Sequence, residues 1–219
     1  MVEKGRPWER PAQGPAAWEV QGDDAALAAA VRDQPGARVA FVPDPASDLA
    51  RALGLSGPGG ADLELAVDAL RVDADGRALF GVNMVVVGTP PDRTTWLTAA
   101  PPLRVSVDGR AVHDGSATAV VVASGQYLRG NDVVPRGHPG DGRAEVQVYA
   151  VRRGERAGVR RRLPRGVHLP HPEITQSRGV AIEVIAAKHP AAVEVDGVAV
   201  PAATRIVVEV VPEAFLIVV

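Results

Sequence analysis

Apolar and polar residues follow helical spacing in parts of the first third of this chain, and strand-like runs dominate the rest. GDDAALAAAVRDQ (22–34) offers Asp23 or Asp24 as a cap ahead of Ala- and Leu-rich positions that favour helix. ARVAFVP (37–43) predicts a short buried strand stopped by proline. SDLARALGL (47–55) predicts a short helix opened by Ser47 or Asp48 and closed by Gly54. ADLELAVDALRV (61–72) predicts a third helix. Strand-like runs follow at 77–88, 102–108, 116–124, 144–151, 179–186, 191–196, 204–211 and 214–219, divided by Asp-Gly turns beginning at 75, 108, 114, 141 and 196. VEVDGVAV (193–200) is a hairpin signal, because Gly197 can take positive φ without steric cost. Residues 1–18, broken by Pro7, Pro11 and Pro15, read as a loose leader, residues 19–75 as a small α/β lobe, and 76–219 as an antiparallel β domain. No internal repeat is visible.

Composition narrows the function classes. With 219 residues and 46% hydrophobic content the chain can bury a proper core, which argues against disorder. A net charge of −2 and 4% aromatics speak against nucleic acid as a partner. The absence of cysteine removes disulfides and thiolate chemistry. The first residues lack the apolar core of a signal peptide, and no apolar run approaches the ~20 residues of a spanning helix. A cytoplasmic location is therefore expected. His138, His168, His171 and His189 show no metal-ligand spacing and read as loop residues.

The run VVVASGQYLRGNDVVPRGHPGDGRAEVQVY (120–149) holds Gly125, Tyr127, Gly130, Pro135, Asp141 and Gly142 in an order that resembles the second domain of the bacterial diacylglycerol kinase and sphingosine kinase family. Ser124, Asn131 and Gly140 depart from that family's pattern. The amino-terminal half is similar to the family's phosphate-binding loop and the turn after it, with Gly22, Asp23 and Asp48 matching. Gln21 and Asp24 stand where the family has glycine, Ala25 replaces threonine, and the later Gly-Thr pair is absent. The resemblance implies an α+β fold: a truncated α/β nucleotide-binding-like lobe followed by a larger antiparallel β-sandwich-like domain. It also implies that Asp196 is the general base on a lipid hydroxyl, that Gly22, Asp23 and Asp48 face nucleotide, and that Asp141 is a candidate metal ligand. Val198 replaces the family's glutamate beside that base.

Three readings follow from these departures. The first is a catalytically impaired diacylglycerol kinase-like domain, without a cofactor, that binds a lipid or a partner protein. The second is an active ATP-dependent lipid kinase using Mg²⁺. The third is a structural module that pairs with a full-length kinase relative or with itself. Asp196 is either the remnant base or a turn residue. Seven arginines lie between residues 152 and 165, and Arg160, Arg161 and Arg162 among them form either a face for anionic headgroups at a membrane periphery or a solvated connector.

Overall fold

A computed structural model describes residues 9–55 and 62–219; residues 1–8 of the expected leader and residue 61 of the expected third helix lie outside it. The strands are β1 (Glu9–Pro11), β2 (Trp18–Gly22), β3 (Ala37–Pro43), β4 (Leu63–Ala74), β5 (Arg77–Gly81), β6 (Met84–Gly88), β7 (Pro102–Val107), β8 (Arg110–Ser116), β9 (Ala119–Ala123), β10 (Tyr127–Leu128), β11 (Asn131–Asp132), β12 (Ala144–Tyr149), β13 (Ile174–Gly179), β14 (Ala181–Ala186), β15 (Ala191–Val195), β16 (Val198–Ala203) and β17 (Arg205–Val218). The helices are α1 (Asp24–Val31), α2 (Asp48–Leu53) and α3 (Arg156–Arg162). No helix among the described residues is long and apolar enough to cross a membrane.

Two sheets face each other. One is ordered β13-β12-β9-β6-β15-β16 and is antiparallel throughout. The other runs β1-β4-β17-β14-β7-β8, with β5 on the flank of β4. Between them lie Val85, Val87, Val120, Val122, Val146 and Val148 from the first, and Leu70, Val72, Val105, Ile182, Val184, Ile206 and Val208 from the second. The alternate residues of the first sheet, Met84, Val86, Val121 and Tyr149, pack outward against Val159 of α3 and Leu163. A sheet covered on both faces reads as an unbroken apolar run, and AVVVA in β9 is buried at every position.

The α/β lobe grows out of the second sheet. β17 carries a bulge between Val211 and Phe215, beyond which Phe215–Val218 pairs in parallel with β3 and antiparallel with the start of β4. β2 then adds in parallel to β3. Asp68, fully buried opposite the bulge, accepts the Glu213 and Gly142 N–H groups at 2.9 and 2.6 Å. The Glu213 N–H is a donor of the interrupted ladder, and the Gly142 N–H ties the loop before β12 to the same carboxylate. α1 and α2 close the lobe over Val20, Leu27, Val39, Phe41, Leu49, Phe215 and Ile217.

The α+β fold class holds, and several local expectations need correction. The run expected as a third helix is the strand β4. Its Ala, Leu and Glu content favours helix, but residues 64–70 are buried without alternation where the strand runs beside β17, and tertiary pairing overrides local propensity. Asp114-Gly115 is no turn; it lies inside β8, opposite Arg104 and Leu103. The expected strand 77–88 is two strands broken at Val82-Asn83, and 204–219 is one bulged strand rather than two. Glu9–Pro11, inside the stretch read as a loose leader, pairs with Leu63–Leu65.

Candidate functional site

The two strand–turn–helix units open toward the same place. β2 ends at Gly22, whose φ is +139° and where a Cβ would sit 2.8 Å from Ala26 Cβ, so there is no room for a side chain. Asp23 then caps α1 by accepting the Ala26 N–H at 2.9 Å. β3 leads through residues 44–47 to α2, capped by Ser47 Oγ, which accepts the Ala50 N–H at 3.0 Å. Facing both helix starts is the β15–β16 turn, in which Asp196 and Gly197 have φ of 48° and 80°, the pair of positive angles that a tight hairpin needs. Asp23, Asp24, Asp48, Asn83, Arg129, Asp196 and Val198 are among the residues lining one cavity of about 180 Å³. The structure thus gathers Asp23, Asp48 and Asp196 from three distant parts of the chain.

Each carboxylate is already engaged, Asp23 by the cap of α1. Asp24 is buried; Ser47 Oγ and Asn83 Nδ2 donate to it at 2.6 and 3.0 Å, and the Leu49 N–H lies 3.1 and 3.0 Å from its two oxygens. Burial pushes its pKa up to about 7; the Ser47 and Leu49 hydrogen bonds pull it down, and the charges of Asp196 and Asp48 add to the rise. Asp48 holds the β10–β11 turn, accepting the Gly130 N–H at 2.8 Å and the Arg129 N–H. Asp196 is half-buried and accepts three backbone N–H groups: Val82 at 2.7 Å, Asn83 at 3.0 Å and Met84 at 2.9 Å. Burial raises it to about 6 against those three bonds, with the Asp23 charge adding to the rise. Asp23 is the exposed member.

The sequence reading missed the groups that hold these acids. Asn83 is 2% exposed and bridges Asp24 to the Tyr127 carbonyl, 3.1 Å away. A polar Asn inside the apolar run 77–88 was the available signal. A Cβ on Gly125 would sit 2.1 Å from Asn83 Oδ1, which gives that motif glycine a packing reason. Arg129, also unforeseen, holds Asp92 by two 2.8 Å bonds and pairs with Glu194 as well.

The other sequence candidates lie elsewhere. Asp141, expected as a metal ligand, does not line the cleft; it pairs with Arg178, a cation already in the place of a metal. Of the arginine segment, Arg156 is 5% exposed and donates to the Val151, Thr95 and Thr98 carbonyls, so α3 is built into the fold rather than being a free connector. Arg160 donates to the Thr94 carbonyl at 3.3 Å, while Arg161 and Arg162 are exposed. Among the described residues, Glu155, His171 and Glu173 are close enough to hold a metal ion. Arg152 already bridges the two glutamates, and His171 Nδ1 accepts the Glu173 N–H, which leaves the ring proton on Nε2 toward Glu155. That tautomer has no free lone pair for a metal.

Comparison with known proteins agrees with this architecture. The family described as the YegS C-terminal NAD kinase beta sandwich-like domain matches residues 94–219. Among solved structures, a diacylglycerol kinase from Bacillus anthracis str. Sterne is 17% identical, with a TM-score of 0.71 over 91% of this chain and 75% of its own. An NAD kinase from Archaeoglobus fulgidus in complex with ATP is 13% identical, with a TM-score of 0.51 over 92% of this chain and 77% of its own. Yeast NADH kinase complexed with NADH gives 13% and 0.52 over 91% and 60%. These likenesses establish the fold. No curated protein sequence matches the chain.

Proposed function

The chain belongs to the YegS C-terminal NAD kinase β-sandwich-like domain family and is diacylglycerol kinase-like, and from that premise we propose a kinase-like domain that has lost phosphoryl transfer and acts by binding a lipid surface or a partner protein. Asp24 carries this reading. A strand–turn–helix unit receives a phosphate on the free N–H groups of its helix start. At α2 the chain's own carboxylate already takes the Leu49 N–H, and Ser47 takes that of Ala50. An incoming triphosphate would meet Asp23, Asp24, Asp48 and Asp196, and the one guanidinium lining the cavity, Arg129, is already shared by Asp92 and Glu194. ATP with a metal ion does not fit the residues present.

A second reading, the active ATP-dependent lipid kinase, is favoured by one observation. Asp196, raised to about 6, lies in the range of a general base. Its three backbone N–H partners weigh against that role, because they occupy most of the roughly four acceptor positions of a carboxylate. Calorimetry with ATP and Mg²⁺ decides between the two. The expected result is no binding by the unmodified protein and measurable binding by a Gln21→Gly, Asp24→Gly, Ala25→Thr variant. Micromolar binding by the unmodified protein, or its phosphorylation of diacylglycerol, overturns the non-catalytic reading.

A further inference from the structure

Trp96 and Leu97 stand side by side on the connection between β6 and β7, 67% and 69% exposed. They are the two most exposed large apolar side chains among the described residues. Single exposed apolar residues are ordinary on a protein surface. This pair is different because the backbone beneath it is tied down. Thr98 Oγ1 accepts the Thr95 N–H at 2.8 Å, and the Thr98 N–H returns to the Thr95 carbonyl at 3.2 Å. From below, the buried Arg156 guanidinium donates to the Thr98 and Thr95 carbonyls at 2.7 and 3.2 Å, and Arg160 reaches the Thr94 carbonyl. The two apolar side chains are presented on a preorganised tip, so little ordering entropy remains to be lost on docking.

The surroundings of the tip are cationic. Arg160 of α3, which reaches this loop, and Arg153, close enough to Arg156 for their charges to act on each other, are exposed; Arg93 at the start of the loop is exposed too, though it pairs with Glu194 at 3.6 Å. The acids in this neighbourhood are occupied: Asp92 and Glu194 by Arg129, and Glu155 by Arg152. Arg162 belongs to the other side of the helix, where its charge is felt by the buried His168.

We propose that the loop 93–98 is a membrane-docking element, Trp96 and Leu97 entering the headgroup boundary of an anionic bilayer while Arg153 and Arg160 meet its phosphates. Tryptophan prefers that boundary, where its ring is half in apolar and half in polar surroundings. Two side chains are far too small a patch for a stable protein–protein contact, which buries roughly 1,200 Å² or more in total. Combined with a cationic rim they suit reversible attachment to an anionic surface. This deepens the binding reading above and rests on it only in treating the chain as a binding module; the measurement below reads attachment and leaves the nucleotide titration untouched, so the two fail separately.

The test is flotation with vesicles of phosphatidylcholine alone and of equal parts phosphatidylcholine and phosphatidylglycerol, at low and high salt, with tryptophan emission followed in parallel. The expected result is flotation with the mixed vesicles, weakened by salt, and a blue shift in emission. A Trp96→Ser, Leu97→Ser variant of unchanged melting temperature should partition about tenfold less. Trp96→Phe should keep most of the partition and lose the blue shift, and Arg153→Gln should weaken binding to the mixed vesicles. No flotation at low salt, equal flotation by the double serine variant, or a dimer of the unmodified protein that this variant abolishes without any flotation would each overturn the proposal.

Discussion

Asp24, the first residue of α1, holds the amide of Leu49 at the start of α2 with both of its oxygens, at 3.1 and 3.0 Å. One helix thereby supplies the anion for the other, and the cost appears in the pH dependence of stability. The folded-state pKa of Asp24 is raised from 3.8 to about 7, so the folded form binds the proton more tightly than the unfolded chain. Acidification from pH 7 toward 4 therefore stabilises the fold through this group, and the gain is lost as pH rises through 7, by about 4 kcal/mol as an upper limit. Asp196, raised to about 6, acts in the same direction. Thermal melts of the unmodified protein should fall between pH 5 and 8, and Asp24→Asn should flatten the upper part of that fall. An unchanged slope in the variant would show that Asp24 is not the titrating group.

Asp196→Ala removes the acceptor for the Val82, Asn83 and Met84 N–H groups at the break between β5 and β6. A loss of roughly 1–3 kcal/mol is expected in urea unfolding, the usual cost of leaving buried donors unpaired. A variant as stable as the parent would leave the hairpin turn as the residue's whole structural role.

Gly125→Ala places a methyl group 2.1 Å from Asn83 Oδ1. Because Asn83 is fixed by Asp24 and the Tyr127 carbonyl, relief requires breaking the contact between lobe and sandwich. The expected outcome is a loss of about 3 kcal/mol or more, or no folded protein. Gly109→Ala, with nothing within 4 Å and only a positive φ to oppose it, is the control and should cost about 1 kcal/mol.

Arg129→Met leaves Asp92 and Glu194, with 14% and 10% of their side chains exposed, with only the more distant Arg93, 3.6 Å from Glu194, to offset their charge. Removing one partner of such a set costs about 3 kcal/mol. Adding Asp92→Asn and Glu194→Gln to the same variant should recover much of the loss, and equilibrium unfolding of these two variants, the parent and the Asp92→Asn, Glu194→Gln variant that keeps Arg129 measures the coupling. Additive effects would mean that the three side chains do not act as one network.

The readability of this fold followed the places where side chains announce backbone geometry. Asp23, Ser47 and Gly54 cap helices where the sequence placed them, because caps and left-handed positions select few residue types. β4 was misread because its neighbours, not its composition, decide its conformation, and a strand buried on both faces loses its alternation. The meeting of Asp23, Asp48 and Asp196 followed from the family resemblance. What Asp48 and Asp196 do there was hidden, since their partners are the amides of Val82, Asn83, Met84, Arg129 and Gly130. A backbone N–H has no letter of its own in a sequence. The rigid support of Trp96 was hidden for the same reason, since Arg156 grips carbonyl oxygens.

β4 and β17 run side by side from Ala74 and Ile206 to Glu64 and Val218, through the sandwich and on into the α/β lobe. A beam shared by two halves removes the hinge between them, since bending it would break a ladder of hydrogen bonds rather than rotate a few loop dihedrals. The cleft is therefore a fixed notch rather than a jaw. Amide exchange should report one shared opening energy for Val67 in the lobe and Val72 in the sandwich, as neighbouring positions on a single spine.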